Sequence, residues 1–224
     1  MKKIILLVAA LAGILFAKSV ELETPPDHKD GVNHLELVLI LDKSGSMSGL
    51  ESDTIGGFNS MIEKERKEGI DASVTTVLFD TKFNVIHDRT PLKKVENLTS
   101  KEYYAGGNTA LLDAVGSTIA RIERVPDIYA KNNRVLFVII TDGMENSSRE
   151  YSKAQIKKMI SDKQEKYDWE FIFLGANIDA ASEAQSIGIK SENALKYENS
   201  KEGVSKNFEA AAEISKDVAT DNKA

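Results

Sequence analysis

The chain has 224 residues, 42% hydrophobic and 29% charged, with a net charge of −6 and no cysteine. That mix and length suit one globular domain of α/β size plus an extension. The missing cysteines exclude disulfides, thiolate metal sites, a cysteine nucleophile and a lipobox; the acidic balance, with no Lys/Arg block free of acids, argues against nucleic acid as a partner.

The first 17 residues set two lysines before "IILLVAALAGILFA", an apolar run that turns polar at Lys18. As a helix the run would span roughly 21 Å at 1.5 Å per residue, short of a ~30 Å hydrocarbon core. It reads as a secretory leader over residues 1–17, with export to the periplasm, the cell envelope or the medium. If it is not removed, it is the chain's tie to a membrane. Residues 18–33, charged and carrying Pro25, Pro26 and Gly31, read as a linker. The domain is expected over 34–220, with a tail at 221–224.

Within the domain, strand-like and helix-like segments alternate. "HLELVLIL" is the first strand, apolar without a break over Leu37–Leu41, and "TIGGFNSMIEKERKEG" places Ile55, Phe58, Met61 and Ile62 on one helical face and stops at Gly69. "SVTTVLFDTKFNVIHD" is two β-rich runs around Asp80, Thr81 and Lys82, a hairpin pattern. "TALLDAVGSTIARIERV" is a helix, "RVLFVIITDG" a second buried strand, "YSKAQIKKMISDKQEKY" a helix and "WEFIFLGAN" a third buried strand. "IDAASEAQSIG", "NALKYE" and "GVSKNFEAAAEISKDVA" read as a short helix, an edge strand and a closing helix. Continuous apolar strands separated by helices predict an α/β, doubly wound, mostly parallel sheet with helices on both faces and one antiparallel edge strand.

Oxygen donors cluster where such a sheet binds ligands, beyond the carboxyl ends of its strands. Asp42, Ser44 and Ser46 follow the first strand, Thr109 opens the second helix, and Asp142 ends the strand "VLFVIITD". If "DKSGS" stays extended, its alternation turns Asp42, Ser44 and Ser46 to one side and leaves Lys43 as an outward charge. Two carboxylates and three hydroxyls suit a hard divalent cation, Mg²⁺ or Mn²⁺. Two negative charges only neutralise such an ion, so it stays electrophilic and attracts a carboxylate from outside.

These residues resemble the metal-ion-dependent adhesion site of the von Willebrand factor type A domain family: Asp-x-Ser-x-Ser after the first strand, a distant Thr, and an Asp in a "TDG" segment. All five positions are filled, by Asp42, Ser44, Ser46, Thr109 and Asp142, and the resemblance spans about residues 34–220. It implies a protein-binding module whose cation captures an acidic side chain of a protein partner, with loops on the same surface setting specificity. Those loops, "SMSGLESD", "YYAGGN" and "MENSSRE", make Ser48, Tyr104, Asn108 and Glu145 the expected partner contacts. The neighbourhood "SGLESDTIGGFNSMI" resembles stand-alone bacterial type A domains, many of them cytosolic, from which a leader is a departure.

Enzyme readings find less. A haloacid-dehalogenase-type phosphatase would carry an Asp where Ser44 stands, Met47 holds the centre of "GSMSG" where a nucleophile elbow needs serine, and no P-loop follows a strand. His28, His34 and His87 share no metal-ligand spacing and read as separate surface or edge residues. Asp113 reads as a first-turn acid suited to the helix dipole. The chain is therefore expected not to be an enzyme; a metal-independent envelope scaffold and, behind it, a Mg²⁺-dependent hydrolase are the alternatives.

Overall fold

The computed structural model describes residues 34–176, 179–198 and 200–220. The leader and linker over 1–33 and the tail over 221–224 lie outside the described residues.

Six strands form one sheet: β1 (His34–Asp42), β2 (Ala72–Phe79), β3 (Phe83–Pro91), β4 (Asn133–Thr141), β5 (Glu170–Ala176) and β6 (Ala194–Tyr197). Their spatial order is β3-β2-β1-β4-β5-β6. All pairings are parallel except β2 with β3, the hairpin turned at Asp80–Lys82. The helices are α1 (Glu51–Glu68), α2 (Leu111–Ile122), α3 (Lys153–Tyr167), α4 (Ala180–Ser186) and α5 (Lys201–Thr220). The expected doubly wound architecture is the observed one. Among the described residues no helix is long and apolar enough to cross a membrane.

β1 shows why the strands carry unbroken apolar runs. Leu35, Leu37, Leu39 and Leu41 face α1 and α5, in one core with Phe58, Met61, Ile62, Phe208 and Ala212. Val38 and Ile40 face the other way, in a second core with Leu111, Val115 and Ile119 of α2, Ile156 and Ile160 of α3, and Ala184 of α4. A strand covered on both sides has no solvent face to alternate with, and each fully buried side chain contributes about 1.5–3 kcal/mol. Two glycines shape α1. Gly57 brings it against α5, since a Cβ there would lie 2.3 Å from the Phe208 ring. Gly69 ends it with a left-handed φ of 73°.

The order of strands reverses beside β1: the chain proceeds to β2 and β3 on one side and to β4, β5 and β6 on the other. The loops after β1 and β4 therefore diverge at the carboxyl end of the sheet and open a crevice there.

Two expectations are corrected. His34 and His87 are buried, not surface residues. His34 opens β1 at the opposite end of the sheet and pairs with Asp71 (3.1 Å) and Ser73 (3.1 Å); its neighbour Glu36 is gripped by the Arg89 guanidinium. His87 does lie on the edge strand, held by Thr76 at 3.0 Å and stacked on Phe58. Lys43 is not an outward charge either. It is 3% exposed, its ammonium is paired with Asp80, and the Tyr104 ring lies over it at 4.5 Å.

Candidate functional site

The five predicted donors come together at the carboxyl end of β1 and β4. β1 stops at Asp42, and the chain tightens into a 3-10 turn at Gly45–Met47 instead of continuing extended. The turn, not strand alternation, gathers the donors. The Ser44 and Ser46 hydroxyl oxygens lie 3.1 Å apart, and Ser46 donates to an Asp142 carboxylate oxygen at 2.5 Å. Thr109 stands just before α2, fixed at both ends of its peptide: its N–H donates to the Asn146 side chain (2.9 Å), and its carbonyl accepts from Asn146 N–H (3.1 Å). The glycine-rich stretch before it is tied to the first loop by Gly45 N–H to Gly107 carbonyl (3.1 Å) and Gly106 N–H to Lys43 carbonyl (2.9 Å).

Asp42 is the deepest member. It is fully buried, one oxygen accepting from Ser44 N–H (2.7 Å) and the other from the Thr141 hydroxyl (2.5 Å), while its carbonyl accepts from Tyr103. Burial pushes its pKa up to about 6; the bonds from Thr141 and Ser44 pull it down, and the nearby Asp142 charge pushes it further up. The neighbouring cation, Lys43, is engaged elsewhere, by Asp80. The Asp42 carboxylate thus sits in a buried corner, oriented by a backbone N–H and a hydroxyl.

Gly143 marks the space these groups surround. A Cβ there would stand 2.9 Å from Thr109 Oγ1, 3.2 Å from Ser46 Oγ and 3.7 Å from Asp42 Oδ2. Adjacent oxygens of a six-coordinate shell with roughly 2.0–2.1 Å bonds are about 2.9 Å apart. The spacings of Ser44 to Ser46 (3.1 Å) and Ser46 to Asp142 (2.5 Å) bracket that value. Among the described residues no three His, Cys, Asp or Glu side chains gather as a metal cluster. This set reaches five donors only by counting its hydroxyls.

The residues expected at the partner surface separate into two kinds. Ser48, Tyr104 and Asn108 are exposed on the loops around the site, Tyr104 at 57%. Glu145 does not present a free carboxylate. Its oxygens accept from Leu112 N–H (2.9 Å), Ser147 N–H (2.9 Å), Ser148 N–H (2.8 Å) and the Ser148 hydroxyl (2.7 Å), so it caps the start of α2. Asp113 does sit in the first turn of α2, and it also accepts from the backbone N–H groups of Arg149, Glu150 and Tyr151. Both acids brace the loop that carries Gly143.

Sequence reasoning missed three supporting residues. Thr141 orients Asp42, Tyr103 holds its carbonyl, and Asn146 clamps Thr109. Thr141 had a signal, as the hydroxyl of "TDG"; Tyr103 and Asn146 had none.

No protein-family model matches the chain, and no curated protein sequence does. Solved structures do match. A von Willebrand factor type A protein from Catenulispora acidiphila superposes with a TM-score of 0.56 at 14% identity, over 82% of this chain and 43% of that one. The fold is type A-like. The pilus adhesin SpaC from Lactobacillus rhamnosus GG superposes with a TM-score of 0.64 at 12% identity, over 84% of this chain and 31% of the adhesin. The PilB minor pilin from Streptococcus sanguinis gives 0.56 at 14%, over 86% of this chain and 64% of the pilin. The type A-like chain thus spans less than two thirds of each of these proteins.

Proposed function

We infer that this type A-like domain is a protein-binding module, not an enzyme, and that it works outside the cytoplasm. It holds one Mg²⁺ or Mn²⁺ ion through Asp42, Ser44, Ser46, Thr109 and Asp142. The ion's open position takes a carboxylate from a protein partner. The observation that carries this reading is the cradle at Gly143, where oxygens from three separate chain segments close around a space that even a methyl group would crowd.

Charge supports the same reading. Asp42 and Asp142 cancel a divalent ion without making it anionic, so it still attracts an external carboxylate. The ion would supply electrostatic attraction; the chain's own hydroxyls and carboxylates would orient it. Hydrolysis would need a general base, and neither described histidine serves: His34 is at the far end of the sheet and His87 is packed on Phe58. The leader pattern and the pilus proteins of similar fold favour an exported location.

One observation favours a second reading, a scaffold that binds without metal. Ser46 to Asp142 and Thr141 to Asp42 satisfy the donors among themselves. Selection of a displayed peptide library on the immobilised domain in Mg²⁺ separates the two. The expected outcome is peptides whose binding needs one Asp or Glu, is released by chelator, and is weakened by Thr109→Ala. Peptides retained in chelator, with no acidic residue required, would favour the scaffold.

A further inference from the structure

Behind the two site carboxylates, on the face covered by α1 and α5, stand two tyrosines in one core cluster, Tyr103 and Tyr197. Their hydroxyls fare differently. Tyr103 donates to the Asp42 carbonyl. The Tyr197 hydroxyl is buried and has no hydrogen-bond partner among the described residues, in a residue only 8% exposed. A buried phenol left unpaired costs stability, and such groups in folded proteins call for an explanation, an absent water or ion among them.

Sheet register shows where the phenol is placed. Thr141 pairs with Gly175 across β4 and β5, and Ala176 pairs with Tyr197 across β5 and β6. Tyr197 is therefore one residue past the level of Thr141, where Asp142 leaves the end of β4 two strands away, with Ala176 between. Strands are about 4.8 Å apart, so the gap is roughly 10 Å, most of which a tyrosine side chain can cross. The intervening residue offers only a methyl group, fully buried in the same cluster, and does not block the way. The electrostatics agree. Burial raises the Tyr197 pKa most, and the charges of Asp142 and Asp42 raise it further, so both carboxylates act on the phenol.

We propose that Tyr197 is a positioning residue of the cation site, its hydroxyl, unpaired in the metal-free chain, donating through one water to the Asp142 side of the site once the cation is bound. This rests on the cation reading given above. A donor aimed at a ligating carboxylate fixes its orientation and raises cation affinity, as outer partners of metal ligands do. It also ties the site to β6, the edge strand that leads into α5.

Tyr197→Phe removes one oxygen and leaves the ring, so the core stays filled. Calorimetric titration with Mg²⁺, paired with melting of the metal-free protein, tests the role. Affinity should fall about tenfold, while the metal-free variant melts at or above the parent's temperature because an unpaired hydroxyl is gone. Parent-like Mg²⁺ affinity would overturn the proposal and leave the cation reading intact. A lowered melting point in the metal-free variant would also overturn it, by showing that the hydroxyl already has a structural partner. If the parent itself takes no Mg²⁺, the cation reading fails and this inference falls with it.

Discussion

Gly143→Ala should sharply weaken cation binding and leave the fold standing. The new methyl group would lie 2.9 Å from Thr109 Oγ1 and 3.2 Å from Ser46 Oγ, inside the space the donors surround. Something must shift, and the movable atoms are the proposed ligands themselves. Gly143 is not among the glycines with positive φ, so alanine strains no backbone there. Stability should change little, because the atoms that must move are side-chain hydroxyls on loops above two intact cores. Mg²⁺ affinity should drop on the order of 100-fold, since the ligands no longer close to a six-coordinate geometry. Mg²⁺-dependent melting of parent and variant measures both quantities; a variant with the parent's Mg²⁺-induced shift would show that the ion sits elsewhere.

The second large effect concerns pH and lies far from the site. Glu65 is 1% exposed between α1 and α5, and neither carboxylate oxygen has a hydrogen-bond partner among the described residues. Burial raises its pKa to about 7; the Ser215 hydroxyl beside it and Lys64 pull it down, and Glu68 pushes it up. In the unfolded chain the same group titrates near the ordinary glutamate value of about 4.3. Between those values the folded state holds a proton that the unfolded state has lost. Ionisation of Glu65 therefore costs nothing below the unfolded pKa, and stability falls as pH rises through the window up to about 7. The full loss is about 3 kcal/mol, reached above the folded pKa. Glu65→Gln removes the charge at nearly constant shape. Denaturant unfolding at pH 4 and pH 8 should show similar stabilities at the lower pH and a variant more stable by about 3 kcal/mol at the higher. Equal stabilities at pH 8 would remove Glu65 as the titrating group.

Glu65 also shows what the sequence does and does not disclose. Helical spacing places it on the face of Phe58, Met61 and Ile62, so its burial was readable from periodicity. What the spacing hides is the partner, α5, which arrives from the far end of the chain. Lys43 follows the same rule. Its burial depends on Asp80, 37 positions away, which the β2–β3 hairpin brings alongside. A strand-end lysine with no known partner reads as an outward charge. Glu145 read as a partner contact beside the site, but the free N–H groups at the start of α2 compete for its carboxylate and win.

The architecture was more legible because each buried strand announces itself locally. The runs over Leu37–Leu41 and Val135–Ile140 are apolar on both faces, which only a sheet covered by helices on both sides satisfies. The site donors were legible by type, as hydroxyls and carboxylates next to those strand ends. Their geometry was not. The 3-10 turn at Gly45–Met47 replaced the extended run that alternation assumes, and the ties from Gly45 to Gly107 and from Asn146 to Thr109 are long-range.

The central claim is that Asp42 and its neighbours hold a single divalent ion. Calorimetric titration of Mg²⁺ into the parent and into Asp42→Ala tests it most directly. Asp42 brings a charge and an oxygen already oriented by Ser44 and Thr141. The parent should bind one Mg²⁺ per chain, and the variant should show no binding heat while still unfolding in one cooperative transition. An Asp42→Ala protein that binds Mg²⁺ as tightly as the parent would contradict the account.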